Sequence, residues 1–456
     1  MSPDALAFNG IDGATGAYLY EELALDDLER RLGPPDDDVH AKELKYAHDA
    51  GQPHFGVVHG VEPESLAEAG WGVVVPDGTP KEVLQALAPL LGLRRDEAGG
   101  LFYELGLARG TSKQDFLAAR SMGPGRANPA KVPYYLLLVG GPDAIPYRFQ
   151  YELDGQYAVG RVAFETPDEY RAYADGVVAA ERAKAPPDRA LRLFGAAAPG
   201  DRASMLSATQ LVRPLARELA SRAPAWDVCA HVGETATKRL LGDLLWGADA
   251  PELVFTAGHG IGYGPADGRR RDGQGALVTQ DWPGPGHPVA DDHCVAAVDV
   301  PADRPVRARI VFAFACFGAG TPECDGAPPL ISRLPQRLLG NPAGGALAFL
   351  GHVDRALGFS FNWPDAGAQR EHFWSTLLAL CDGWRVGHAK EYFDDRYMDV
   401  NVQLNDCLDR IHRAREVVDP VKLAELWTAC LDARNYFVLG DPAVRLPGRA
   451  ADLRQT

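Results

Sequence analysis

Residues 253–260 read Leu253-Val254-Phe255-Thr256-Ala257-Gly258-His259-Gly260, and residues 310–318 read Ile310-Val311-Phe312-Ala313-Phe314-Ala315-Cys316-Phe317-Gly318. Each is an unbroken apolar run that stops on one reactive side chain beside a small residue. Apolar runs without alternation are the mark of parallel strands covered on both faces. In an open parallel sheet, chemistry gathers beyond the carboxyl ends of the strands. The two runs therefore put an imidazole and a thiol at the tips of two core strands, as a cysteine nucleophile with a histidine acid/base partner requires.

Outward from these runs the chain alternates between strand and helix signals. Residues 134–140, 157–162, 191–197, 227–232 and 345–351 read as further strands, and 168–184, 202–220, 235–246 and 329–340 as helices between them. This alternation predicts an α/β fold: a three-layer α/β/α sandwich with a mostly parallel central sheet. Residues 367–382 and 386–431 read as helices closing the chain. Towards the N-terminus, 70–76 is a strand. Thr79-Pro80 opens a helix through about Leu91, with Val83, Leu84, Leu87 and Leu91 on one face and Pro89 or Gly92 marking its end. Residues 1–55 are polar and acidic, broken by Pro34-Pro35-Asp36-Asp37-Asp38, and read as a loosely structured lead-in. The expected division is 1–130, a lead-in with a small α/β subdomain, and 131–450, the main domain with its C-terminal helices.

Composition limits what this architecture does. The 456 residues are 46% hydrophobic, enough for a large core. With 46 basic and 62 acidic residues the net charge is −16, which argues against nucleic acid as a partner. The seven cysteines, at 229, 294, 316, 324, 381, 407 and 430, are odd in number and irregular in spacing, so they form neither a disulfide framework nor a zinc knuckle. Met1-Ser2-Pro3-Asp4 opens no signal peptide, and no apolar run reaches the ~18 residues that span a bilayer. A cytoplasmic protein without membrane contact is expected. His287, His293, Cys294, Asp291 and Asp292 match no standard metal spacing, and Gly258–Gly262 lacks the Lys-Ser/Thr of a phosphate loop. No cofactor is expected.

The chemistry follows from the two tips. Cys316 is the candidate nucleophile and His259 the group that handles the proton. Gly260 lets a substrate carbonyl approach its N–H, and with the N–H of Cys316 it would form an oxyanion hole. An apolar strand ending in His-Gly followed by one ending in Ala-Cys resembles the caspase-like cysteine peptidases, including their gingipain-like and CHAT-like branches. Three further segments are similar to the gingipain-like branch. They are Tyr134–Pro146 with Tyr157–Arg161, Asn341–Gly351, and the closing Asn435–Leu446 with its Leu439-Gly440-Asp441-Pro442. The resemblance spans about residues 132–446. It implies an endopeptidase working through a thioester on Cys316, with a protein or peptide as substrate. It also implies an acid near the 157–161 strand that orients the histidine. The position matching that acid is Gln156, with Asp154 and Glu152 close by, so the third member of the site is open.

The resemblance further implies that the loops after the His259, Cys316 and following strands wall the substrate pocket. The candidates are Glu323, Asp325, His352 and Asp354, with Arg355 beside them. An acid there would select a basic residue before the cleaved bond, whereas Arg355 would instead suit an acidic one. Arg269-Arg270-Arg271 would then be a site for self-processing. Two rivals stand beside the peptidase. One is a catalytically inactive caspase-fold scaffold that binds a regulatory partner through the 367–431 helices. The other is a different thiol hydrolase or acyltransferase on a similar sheet.

Overall fold

The computed structural model describes residues 5–6, 8–18, 23–24, 56–183, 188–323, 326–363, 366–412 and 416–446. Ten strands form one sheet: β1 (Trp71–Pro76), β2 (Phe102–Leu107), β3 (Tyr135–Val139), β4 (Ala158–Val162), β5 (Ala190–Gly195), β6 (Asp227–Val232), β7 (Leu253–Ala257), β8 (Ile310–Phe314), β9 (Ala348–His352) and β10 (Tyr436–Gly440). Their spatial order is β6-β5-β7-β8-β9-β10-β4-β3-β1-β2. Every neighbouring pair is parallel except β9 and β10, which run antiparallel. The sheet is mostly parallel, as expected, but it consists of two parallel halves of opposite direction joined at that seam.

Covering both faces is what makes the central strands buried throughout and mostly apolar. Every residue of β3, β4, β7, β8, β9 and β10 is buried. The edge strands keep polar, exposed positions, as in Glu104 of β2 and Asp227 of β6. The covering helices are α1 (Lys81–Ala98), α2 (Tyr147–Asp154), α3 (Pro167–Arg182), α4 (Arg213–Arg222), α5 (Lys238–Trp246), α6 (Arg333–Leu339), α7 (Glu371–Cys381), α8 (Glu391–His412) and α9 (Pro420–Ala433). Local chemistry starts several of them. Thr166 and Glu169 close a capping box with Pro167 at the first turn of α3, and Thr237 caps α5.

Helix α1 passes straight through Pro89 and Gly92, beyond the expected stop, and ends at Gly99, whose φ is +53°. Its buried stripe of Val83, Ala86, Leu87, Leu90, Arg94 and Ala98 packs against α3, and that burial outweighs the backbone hydrogen bond lost at Pro89. Arg94 is fully buried. Its Nε lies 2.6 Å from Asp441 Oδ2 and its Nη2 2.7 Å from Glu181 Oε1. Asp441 Oδ1 also accepts from Trp71 Nε1 at 2.9 Å. The closing Gly-Asp-Pro thus ties the last strand to β1 and α1, on both sides of the expected division near residue 130.

The N-terminal lead-in is ordered where it is described. Ile11–Asp12 pairs in parallel with Ile261–Gly262, just after His259. Phe8–Asn9 pairs antiparallel with Ala356–Leu357, in the loop region after β9. The segment therefore crosses the carboxyl ends of the β7–β9 strands.

Candidate active site

Strand register brings the two tips together. Ala257 pairs with Phe314 in the parallel β7–β8 ladder. Two residues beyond that last pair on each chain lie His259 and Cys316. Gly258 N–H donates to the Phe314 carbonyl at 3.1 Å, carrying the ladder past the strand ends. Gly260 packs against the Cys316 backbone so closely that a Cβ there would stand 1.8 Å from the Cys316 carbonyl oxygen. The glycine after His259 is thus required by the approach of the two tips.

A sharp turn holds the thiol. Phe317, immediately after Cys316, has φ of +56°, a left-handed conformation that costs a side-chain-bearing residue energy. The turn is pinned on all sides. Phe317 N–H donates to the Asp354 carbonyl at 2.7 Å, Ala319 N–H donates to the His352 carbonyl at 3.0 Å, and the Ser332 hydroxyl donates to the Phe317 carbonyl. Cys316 is fully buried, with Sγ 3.7 Å from the Ala356 carbonyl oxygen. Only a protonated thiol can donate there, and burial pushes the Cys316 thiol up from its ordinary value.

His259 is buried and has a carboxylate partner that sequence reasoning did not identify. Its Nε2 lies 2.6 Å from Asp201 Oδ2. Burial alone would raise the Asp201 carboxyl. The charge and hydrogen bond of His259, with hydrogen bonds from Ser204 and Tyr18, outweigh it and hold it down to about 2. Such a carboxylate only accepts, so Nε2 carries the ring proton. Nδ1 is buried and has no hydrogen-bond partner among the described residues. Tyr18 and Trp282 each meet the imidazole edge-on, with ring centroids 5.9 and 5.8 Å away.

Asp201 follows β5, the strand next to β7, so it obeys the same strand-end rule that singled out His259. Its signal in the sequence is the turn Pro199-Gly200-Asp201 after an apolar strand. The residue also caps the short helix Arg202–Leu206, accepting from Ala203 N–H at 3.2 Å, and that ordinary duty hides the other one. The positions expected to orient the histidine are engaged elsewhere. Gln156 Nε2 donates to the carbonyls of Gly123 and Gly125, Asp154 pairs with Lys390 at 2.9 Å, and Glu152 pairs with Arg148 at 2.8 Å.

The candidate wall residues scatter. Asp354 is half-buried beside the nucleophile turn, its Oδ1 accepting from Arg355 N–H at 2.8 Å. His352 closes strand β9. It is fully buried, its Nε2 2.9 Å from the Asp432 carbonyl and its ring against Tyr436. Glu323 is exposed, and Asp325 lies outside the described residues. Arg269 pairs with Asp267 and Arg271 with Glu165, both on the surface. Among the described residues, no three His, Cys, Asp or Glu side chains are grouped to hold a metal ion, and no helix is long and apolar enough to cross a membrane.

Neither a family model nor a curated protein matches the sequence. Solved structures do match the fold. One described as a protease superposes with a TM-score of 0.50 at 14% identity, covering 85% of this chain and 80% of its own. The chain has a caspase-like α/β fold. The Arg-specific cysteine proteinase gingipain R is similar at a TM-score of 0.46 and 14% identity, over 83% of this chain and 78% of its own. Separase in complex with securin, from Saccharomyces cerevisiae, is similar at 0.30 and 9% identity, over 72% of this chain and 16% of its own. In this caspase-like fold the His259 and Cys316 tips belong to neighbouring strands of the half-sheet that carries β5 to β9.

Proposed function

We propose that this protein is a cysteine endopeptidase in which Cys316, His259 and Asp201 work as a unit. The observation that carries the reading is the alignment of Asp201, His259 and Cys316 along the tips of β5, β7 and β8. With Nε2 held by Asp201, Nδ1 is the ring atom left to take the thiol proton. The thiolate attacks the substrate carbonyl carbon, forming the C–S bond as the carbonyl electrons move to oxygen. The N–H groups of Gly260 and Cys316 receive that oxyanion. Collapse breaks the C–N bond, and the imidazolium proton passes to the leaving amine. Water then attacks the thioester, gives a proton back to His259 and releases the acid and the thiol. Asp201 stabilises the imidazolium formed midway and keeps the ring in the correct tautomer.

The proposed substrate is a protein or peptide cleaved after a basic residue, with Asp354 supplying the selecting charge next to the nucleophile turn. We place the enzyme in the cytoplasm, where the six free thiols described would stay reduced. Purified protein and Cys316→Ala are to be compared on fluorogenic peptides with Arg, Lys, Asp or Asn before the label. Turnover lost in the variant supports the reading, and equal turnover of every cleaved peptide refutes it. One observation favours the second reading, a scaffold without turnover: the Cys316 thiol is fully buried beneath the N-terminal segment's pairings. A peptidyl acyloxymethyl ketone separates the two, since only the enzyme gains the mass of a covalent adduct.

A further inference from the structure

Tyr18, in the N-terminal segment, contributes to the site itself. Tyr18 Oη lies 2.5 Å from Asp201 Oδ1, the oxygen not taken by His259. Asp201 is fully buried and is met by the His259 ring, the Tyr18 hydroxyl, Ser204 and the Ala203 N–H. The tyrosine thus fixes the carboxylate from the side opposite the imidazole, and its ring packs edge-on against that same imidazole.

Tyr18 reaches this position through a built turn. Asp12 Oδ1 accepts from Ala14 N–H, Thr15 N–H and the Thr15 hydroxyl at 2.7–2.9 Å, and Asp12 N–H donates to the Ala17 carbonyl at 2.9 Å. Ile11 bridges Tyr18 across the turn. Two glycines seat it. A Cβ on Gly16 would stand 1.6 Å from the His287 carbonyl oxygen, and one on Gly13 would stand 2.5 Å from the Tyr263 ring. Gly16 also has φ of +69°, open to glycine at little cost. The turn rests on the loop after His259, where Gly13 N–H donates to the Gly262 carbonyl at 3.3 Å.

We propose that Tyr18 is a positioning residue for the Asp201–His259 pair, so that the N-terminal segment is part of the catalytic apparatus. This rests on the peptidase reading for its kinetic consequence but not for its structural one. Oriented from both oxygens, the carboxylate cannot rotate away when His259 gains or gives up its proton. The test is Tyr18→Phe in the full-length protein, which removes one hydroxyl and leaves the ring. Its first readout is the low-field proton resonance of the His259 ring N–H, assigned by its disappearance in Asp201→Asn. That signal is visible whether or not any substrate is cleaved. The resonance should move upfield in Tyr18→Phe, and in an active enzyme kcat should fall about tenfold with KM little changed, the scale of one hydrogen bond to a charged group. In the double variant with Asp201→Asn, the loss should be no larger than for Asp201→Asn alone. If Tyr18→Phe does not fold, 3-fluorotyrosine at position 18 keeps the hydroxyl, changes its acidity and should move the same resonance. An unmoved resonance, or a moved one with kcat unchanged in an active enzyme, overturns the proposal. Absent turnover in the wild type with a shifted resonance overturns only the peptidase reading.

Discussion

Asp201→Asn probes the pair most directly, because it keeps the side chain's shape and removes its charge. Burial opposes ionisation of this carboxyl, yet His259, Ser204 and Tyr18 lower it from 3.8 to about 2. That interval corresponds to about 2.5 kcal/mol of net preference for the charged form. A carboxyl that ionises more readily when folded contributes its stability in full above the unfolded value near 3.8, and loses it as the pH falls through about 2. The variant should therefore be less stable by about 2–3 kcal/mol at pH 7, with the gap roughly halved at pH 3. Urea unfolding of both proteins at the two pH values measures this. An amide can also present its NH2 to Nε2 and reverse the tautomer, leaving the proton on Nδ1 where the thiol proton must go. Turnover should fall by about 60-fold or more, taking the same interval as the energy of the ionised partner. A stability gap that is the same at pH 7 and pH 3 would refute the electrostatic argument. Unchanged turnover would refute the role of Asp201 in orienting the histidine.

Three other outcomes are expected. Iodoacetamide should alkylate exposed Cys229 well before Cys316, whose thiol is buried and held protonated, and mass mapping of the first adducts checks this. Gly260→Ala should destabilise the protein by about 2 kcal/mol or more and abolish turnover, since the new methyl collides with the Cys316 carbonyl. A wild-type melting curve would contradict it. Asp441→Asn should cost about 2 kcal/mol in chemical unfolding, because the buried Arg94 guanidinium loses one of its charged partners and keeps Glu181 and Glu97.

The parts of this molecule that could be seen in its sequence are those whose physics is local. β7 and β8 are continuous apolar runs because both faces of the sheet are covered, so their existence, type and ends were legible, and with them the two tip residues. β2, Phe102–Leu107, was not, because an edge strand keeps polar positions such as Glu104 and carries no clear period. The antiparallel seam between β9 and β10 leaves no trace in either strand, since strand direction is set by the path of the connecting chain. The order in residues 8–18 was hidden for a different reason. Ile11 finds its partner at Ile261, about 250 residues away, and the segment holds too little apolar surface to advertise a fold of its own. Asp201 was missed because a residue that caps a helix looks complete without a second task.

The seam has a practical consequence. Because Ala348 pairs with Gly440, β10 and the strands beyond it deliver their carboxyl ends to the edge opposite Cys316. The turns after β1 and β2, at Asp77-Gly78 and Arg109-Gly110, open on that remote edge, and both glycines have free space around them. One rim of the sheet does chemistry, and the other is available for handling. A fluorophore, affinity tag or surface tether placed at either turn would hold the protein from behind and leave the approach to the strand tips clear.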